Sequence, residues 1–318
     1  MNNKKRKNAA PEIPYFRELE SFYRHLKAGP PLHKDFDIRL IDSEALKNYD
    51  YVASPFHHSF YCITFFLQGD ITLNSGFSKV RLRKPTIYLK TPLQILSWQK
   101  PEHFLQEYIL VFTENFLADH KLLADIIFDL PFFHLEKAIP FEIEQDEVEL
   151  IAGIYKQVLT EYQSNNEDKF ALITSCVYTL LLHLLRFYNK YTKTDVDLPS
   201  HVHSNERLLV DKFHSLIRSK IATGETNNGH LTVKYFAGLL STHPNHLNAA
   251  VKRQKQKSAL AFLHERILHE AQSLLDQTEL TIKEIALRLG FADASHFNNF
   301  FKKRNGRTPA LYRKIKSS

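Results

Sequence analysis

The sequence predicts an α+β protein, with strands in its first part, helices in its middle and an all-α C-terminal domain of two helix-turn-helix units. Two observations carry this prediction. Short apolar segments separated by turn residues are confined to residues 35–118, whereas helical periodicity dominates after residue 119. A pattern near residue 232 also recurs near residue 281, which indicates a duplicated helical unit.

Composition and periodicity divide the chain into five segments. These are a tail and lead-in at 1–34, a strand-rich segment at 35–118, a helical segment at 119–194, a linker at 195–203 and a helical domain at 204–318. A basic cluster at 4–7 is not followed by an apolar stretch, so it does not predict a signal peptide. It predicts a solubilising tail or an additional nonspecific DNA contact.

Segments rich in β-branched and aromatic residues predict at least six short strands. They lie at 61–67, 71–73, 79–82, 86–90, 95–98 and 108–112, with a turn at 74–76. Strands of this number and spacing favour a small barrel or a sandwich.

Two longer helices are predicted at 144–162 and 168–191. The second approaches membrane-spanning length, but its Ser, Thr, His and Arg residues leave a polar face, so we expect no membrane partner. Its apolar stripe consists of Ile173, Val177, Leu180, Leu184 and Phe187. We expect this stripe at a twofold dimer interface; the alternative is that it packs only on its own strand-rich domain.

The duplicated unit has the period of a helix-turn-helix. In each copy the first helix carries apolar residues at i, i+3, i+4 and i+7, namely Val233, Phe236, Ala237 and Leu240, and then Ile282, Ile285, Ala286 and Leu289. These helices are offset by 49 residues and the helices that follow them by 50, so the second turn is one residue longer.

The second helix of each unit has a polar face that suits DNA. Asn can bond adenine through two atoms in the major groove, and Lys and Arg neutralise phosphate. We therefore predict base contacts from Asn245, Asn248, Ser295, Asn298 and Asn299, and phosphate contacts from Lys252, Lys302, Lys303, Arg304 and Arg307. His246 and His296 complete the predicted set. The alternative is that these are ordinary solvated helix faces.

The positive charge is concentrated in the same domain. Residues 204–318 contain 19 Lys and Arg against 9 Asp and Glu, a net charge of +10, which leaves −3 for the rest of a chain whose total is +7. This distribution is typical of a domain that binds nucleic acid.

Residues 266–275, 285–291 and 300–309 resemble the AraC family of bacterial transcription regulators. The resemblance implies two helix-turn-helix units joined by a long helix that includes 266–275, a cytoplasmic regulator of transcription, and RNA polymerase as a partner if the protein is an activator. Two recognition helices would enter successive major-groove segments about 34 Å apart. Val251, Gln256 and Ala259 stand where the family usually has Phe, Gly and Pro, which implies a weaker grip on DNA in the first unit.

Residues 55–61, the turn at Gly69, and residues 91–98 and 110–117 resemble the sensor domain of many AraC-family members. That domain is a cupin-like barrel followed by dimerising helices. The resemblance implies a sensor barrel at 35–118 that holds a small-molecule effector, a dimerisation region at 119–194 and a homodimer. Five aromatic residues are candidates either for an effector pocket or for plain core: Phe65, Phe66, Tyr88, Trp98 and Tyr108.

A cupin-like barrel also raises the hypothesis of a metal-dependent enzyme fused to a DNA-binding module. Adjacent His57 and His58 would point to opposite faces of a strand and could not both bind one ion. We therefore predict no catalytic residue, metal site or cofactor, and free thiols at the two cysteines, Cys62 and Cys176. A third hypothesis is a ligand-independent DNA-binding protein whose barrel only dimerises. The sequence leaves open the effector, the target genes and the choice between activation and repression.

Overall fold

The computed structural model of the protein describes residues 13–42, 53–76, 78–98, 105–127, 130–133, 140–194, 205–224 and 231–316. The chain divides into two compact units. One consists of Phe16–Ser75 and Lys79–His201, and the other is built mainly from Val202–Ser318. The predicted linker at 195–203 and the basic cluster at 4–7 lie outside the described residues.

The first unit contains ten described strands. They are β1 Tyr15–Phe16, β2 Phe36–Ile41, β3 Ala53–His58, β4 Tyr61–Gln68, β5 Ile71–Ser75, β6 Ser78–Leu82, β7 Thr86–Lys90, β8 Leu96–Trp98, β9 Gln106–Phe112 and β10 Phe141–Glu142. They form two five-stranded sheets, in the orders β1-β3-β8-β5-β6 and β10-β7-β4-β9-β2. The described strands therefore make two open sheets, which correspond to the sandwich alternative and not to a closed barrel.

The second sheet is buried on both faces. On β4, Cys62 and Phe66 belong to one apolar cluster, which also contains Phe56 and Trp98 from the first sheet. Ile63 and Phe65 belong to the other cluster, which contains the helices that follow the strands. Because side chains alternate along a strand, two covered faces require a continuous apolar run, and this explains why Tyr61–Gln68 shows no polar alternation.

The helices of this unit are α1 Leu19–His25, α2 Glu114–Asp119, α3 Lys121–Ile127, α4 Gln145–Tyr162 and α5 Lys169–Thr192. α4 and α5 lie close to the predicted helices. A reciprocal capping box begins α4, in which the Glu144 N–H donates to the Glu147 carboxylate at 2.9 Å. The Tyr155 hydroxyl donates to the Ile63 carbonyl of β4 at 3.0 Å, so α4 is bonded directly to the sheet that it covers.

The stripe on α5 corrects our expectation of a dimer interface. Ile173, Val177, Leu180 and Leu184 are fully buried and Phe187 nearly so, in the same cluster as the second sheet. The stripe is covered by its own chain, because an amphipathic helix beside an apolar sheet face buries its surface there first. Among the described residues, α5 is also the one helix long and apolar enough to cross a membrane, a test that core helices pass as well.

The second unit is all-helical in its described part. Its helices are α6 Asn205–Ala222, α7 Val233–Leu239, α8 Pro244–Lys255, α9 Ala259–Gln277, α10 Ile282–Arg288, α11 Ala294–Asn305 and α12 Pro309–Lys316. The sequence pattern did not predict α6 or α12. Phe213 of α6 packs edge-on against Phe236 of α7 at 5.5 Å between ring centroids. Tyr312 of α12 packs on Phe301 at 5.4 Å and donates to the Asp276 carboxylate of α9 at 3.2 Å.

Candidate DNA-binding surface and interior cavity

The two helix pairs, α7–α8 and α10–α11, begin in the same way. Thr232 and Thr281 cap α7 and α10, each accepting a backbone N–H three residues ahead. Thr281 also forms a full capping box with Glu284, whereas α7 has Tyr235 at that position. The shared cap fixes the direction in which each first helix leaves the preceding loop.

The two turns also share their hydrogen bonds. The Thr242 N–H donates to the Ala237 carbonyl, and the Phe291 N–H donates to the Ala286 carbonyl, both at 2.9 Å. The residue before each donor has a left-handed backbone, with φ of 50° at Ser241 and 79° at Gly290. The second turn, 289–293, is one residue longer than the first, 240–243, as predicted.

The second helices present most of the predicted DNA-binding residues to solvent. Leu247 and Val251 bury the opposite face of α8, and Phe297 and Phe301 that of α11. The exposed members of the predicted set are Asn245, His246, Lys252, Ser295, His296, Asn299, Lys302, Lys303, Arg304 and Arg307. Asn248 and Asn298 are half-buried at equivalent positions of the two helices.

Histidines stand at the start of both candidate recognition helices. His243 caps α8, accepting the Asn245 N–H on Nδ1 at 3.2 Å. Asp293 caps α11, accepting the His296 N–H at 2.8 Å, and its second carboxylate oxygen lies 3.0 Å from His296 Nδ1. The His296 N–H holds the pKa of Asp293 below its ordinary value, so a carboxylate stays at the N-terminus of α11, where the helix dipole favours it.

Arg304 has an intramolecular partner that the sequence did not suggest. Its guanidinium lies 4.2 Å from the ring centre of Phe300, and its Nη2 lies 2.6 Å from Nδ1 of His264 on α9. Burial lowers the pKa of both groups, and the Arg304 charge further lowers that of His264. In this conformation the guanidinium joins α11 to α9.

Arg253 and Glu206 form a contact that sequence reasoning missed. Arg253 of α8 donates to both carboxylate oxygens of Glu206 on α6, from Nε at 2.9 Å and from Nη2. The Arg253 guanidinium holds the pKa of the Glu206 carboxyl below its ordinary value. No sequence feature could have revealed this pair, because the two residues are 47 positions apart and α6 was not predicted.

The joining helix α9, which packs against both helix-turn-helix units, carries three buried or half-buried ionisable side chains. Arg266 and Glu270 are buried and His269 is half-buried. Burial raises the pKa of Glu270 to about 7, although Arg288 and Arg218 oppose the shift. Burial lowers the pKa of Arg266 to about 10, and burial together with the Arg266 charge lowers that of His269 to about 4.

A cavity of about 50 Å³ lies in the first unit, among residues of the apolar cluster shared by the two sheets. Its walls are mostly apolar and aromatic, and Tyr88 and Trp98 are among them. Lys90, Glu107 and Arg39 supply the charged groups. Of the five aromatic candidates, Tyr88 and Trp98 line the cavity, whereas Phe65 and Tyr108 pack in the cluster beneath the helices.

His57 and His58 are both buried on β3, so neither is a surface residue. His57 Nδ1 lies 3.0 Å from the Leu93 carbonyl, and His58 stacks on Phe60 at 4.4 Å between ring centres. In the described part of the chain, no group of three or more His, Cys, Asp or Glu side chains could hold a metal ion. Both cysteines are free, Cys62 in the cavity wall and Cys176 on α5.

Comparison with known proteins identifies the C-terminal domain. A family model described as a helix-turn-helix domain matches residues 236–315, which run from α7 into α12. The bifunctional transcriptional activator and DNA repair enzyme AdaA of Bacillus subtilis is 30% identical over 112 residues, 35% of this chain and 52% of AdaA. The transcriptional activator RhaR of an Enterobacter species is 26% identical over 165 residues, 52% of each chain. The C-terminal domain is therefore a helix-turn-helix domain similar to that of bacterial transcription regulators.

The chain spans about half the length of the AdaA and RhaR proteins that it matches. Among solved structures, the C-terminal domain of the response regulator AraT from Geobacillus stearothermophilus is 28% identical, with a TM-score of 0.32, and covers 35% of this chain and 88% of its own. A single-residue variant of apo ToxT from Vibrio cholerae is 16% identical, with a TM-score of 0.38, over 89% of this chain and 98% of its own.

Proposed function

We propose that the protein is a cytoplasmic, sequence-specific transcription regulator that binds double-stranded DNA through α8 and α11. The observation that carries the proposal is the pair of helix-turn-helix units with matching caps and turn bonds, both packed on α9. A helix N-terminus with exposed Asn and Ser side chains suits base edges, and the Lys and Arg side chains that follow suit phosphate.

Individual roles follow from exposure and existing contacts. Asn245, Ser295, Asn298 and Asn299 are proposed to contact base edges. The proposed phosphate contacts are Lys252, Lys302, Lys303 and Arg307, with His246 and His296 beside them. Asn248 and Arg304 would contribute less than the sequence suggested, because each already has a partner within the domain.

The strand-rich N-terminal unit is proposed to be a sensor domain that binds a small-molecule effector and alters DNA binding. A cavity with a few charged groups in mostly apolar walls supports this role. A homodimer and, for an activator, a contact with RNA polymerase complete the proposal. With the stripe on α5 already covered, a dimer would use another surface. The two rival hypotheses remain an enzyme fused to a DNA-binding module and a regulator without an effector.

Selection of duplexes from a random pool by the full-length protein tests the DNA-binding function. Recovery of a shared sequence motif is the expected result, whereas equal retention of all duplexes at every salt concentration would contradict sequence-specific binding. A genome-wide map of bound sites would then show the regulated genes. Metal analysis of the purified protein tests the enzyme hypothesis, because a stoichiometric metal would favour it.

A further inference from the structure

Lys90 is a buried cation in the wall of the cavity. It is the last residue of β7, and only 7% of its surface is exposed. Its ammonium nitrogen lies 4.8 Å from the ring centre of Tyr88 and 5.2 Å from that of Trp98. Aromatic faces attract a cation but do not neutralise its charge, and Lys90 is among the residues that line the cavity.

The other charged groups of the cavity already have partners. Arg39 donates to the Asp37 carboxylate at 2.6 Å and lies 3.9 Å from the ring centre of Tyr23. Glu107, which is fully buried, accepts the hydroxyl of Tyr88 at 2.9 Å. Lys90 differs from both, since no described carboxylate lies within ion-pair distance of its ammonium group.

A buried ammonium without an anion is costly, because it has lost water without gaining a counter-charge. The cavity wall is otherwise dominated by apolar and aromatic side chains such as Phe60, Leu73 and Val111. A ligand that completes this site therefore needs one acidic group for Lys90 and an apolar body for the walls.

We propose that the cavity binds a small organic anion whose acidic group pairs with Lys90 and whose apolar body packs against Tyr88, Trp98 and the neighbouring walls. This inference deepens the proposed sensor role by naming the chemical class of the effector. A cationic ligand held by Glu107 would be the opposite arrangement. The Tyr88 hydroxyl already occupies that carboxylate, and Lys90 would repel a second cation.

The chain provides a local reporter for a binding test. Trp98 is its single tryptophan and lines the cavity, so a change in tryptophan emission reports on this site and not on the basic C-terminal domain. The probes are isobutyrate and isobutyramide, which share a small apolar body and differ in the charge of the head group. Titration of the full-length protein, without DNA, measures the affinity of each through the change in Trp98 emission.

We expect isobutyrate to bind at least about tenfold more tightly than neutral isobutyramide, because it gains one charge-assisted contact. Lys90→Met should remove this preference, Lys90→Arg should keep it, and Lys79→Met, at an exposed position of β6, should leave it unchanged. Equal affinity of the two probes for the wild-type protein, or an unchanged preference in a folded Lys90→Met variant, would overturn the proposal.

Circular dichroism checks that each variant is folded. If Lys90→Met is unfolded, the comparison of probes on the wild-type and Lys90→Arg proteins still decides, because equal affinities on both would exclude an anion site. Failure of isobutyrate to change the Trp98 emission also counts against the site. The test does not involve DNA, so its failure would leave the DNA-binding proposal standing.

Discussion

The side-chain oxygen of Asn248 accepts the backbone N–H of Ala259 at 2.9 Å, which connects the candidate recognition helix α8 to the first residue of α9. The equivalent pair in the second helix-turn-helix unit is Asn298 and Pro309. Proline has no N–H to donate, so this bond cannot form there. One asparagine therefore supports the fold, while its counterpart keeps its amide group available for DNA.

The first prediction follows from this asymmetry. Asn248→Ala should lower the free energy of unfolding by about 1 kcal/mol, because the N–H of Ala259 loses its acceptor. Asn298→Ala should leave stability nearly unchanged and alter the preferred DNA sequence. Urea unfolding and competition binding with the selected duplex measure the two effects. Equal losses of stability in both variants would show that the two asparagines have the same role.

The second prediction separates base contacts from phosphate contacts on α11. Asn299→Ala should relax the preference at one or two base positions at a cost of roughly 1–3 kcal/mol. Lys302→Ala should weaken binding to all sequences and lower the salt slope by about one unit. Affinities for the selected and scrambled duplexes over a range of salt concentrations test both. Sequence-independent losses in both variants would mean that Asn299 does not contact a base edge.

The third prediction concerns the left-handed residues that end α8 and α11. Gln256 has φ of 54° and Gly306 has φ of 82°. Gln256→Gly should raise the free energy of unfolding by up to about 1 kcal/mol, since only glycine adopts this conformation without strain. Gly306→Ala should lower it by a similar amount, although an added Cβ would meet nothing within 4 Å. Urea unfolding measures both, and destabilisation by Gln256→Gly would contradict this explanation.

The helical periodicity of the C-terminal domain was informative because the first helix of each helix-turn-helix unit buries one narrow apolar stripe. Ile285, Ala286 and Leu289, for example, are buried as their spacing predicted. The longer turn of the second helix-turn-helix unit was also predicted correctly, because the first helices are offset by 49 residues and the second helices by 50. The sequence could not show which polar side chains are already occupied, because the partners of Asn248, Arg253 and Arg304 lie on other helices.

The fold of the strand-rich N-terminal unit was less predictable for a physical reason. β4 is covered on both faces, so its apolar run has the same appearance in a barrel and in a sandwich. The α5 stripe could equally have faced a second chain or its own sheet, because amphipathicity shows that a face is buried but not by what. Lys90 follows an apolar run, and nothing in the sequence distinguished it from an exposed lysine at a strand end.

The fourth prediction is a pH dependence centred on α9. Burial raises the pKa of Glu270 from 4.5 to about 7, so stability from this group falls as the pH rises through that window. Burial lowers the pKa of His269 from 6.5 to about 4, so its contribution rises with pH and opposes the first. As the pH rises from 4.5 to about 7, the free energy of unfolding of Glu270→Gln should therefore rise on the order of 3 kcal/mol relative to that of the wild type.

Urea unfolding of a Ser204–Ser318 fragment at several pH values tests this prediction. Glu279→Gln, at an exposed position after α9, is the matched control and should follow the wild type at every pH. A constant difference between Glu270→Gln and wild type across the range would show that Glu270 does not titrate with a raised pKa.

The fifth prediction tests the central claim that the C-terminal domain by itself recognises DNA. The Ser204–Ser318 fragment carries a net charge of +10 and contains every helix of both helix-turn-helix units. Its affinity for the duplex selected by the full-length protein, and for a scrambled duplex, is the decisive measurement. We predict a folded, helical fragment that prefers the selected duplex, with weaker affinity than the full chain if the first unit dimerises. A folded fragment with no affinity for either duplex at low salt would contradict the claim.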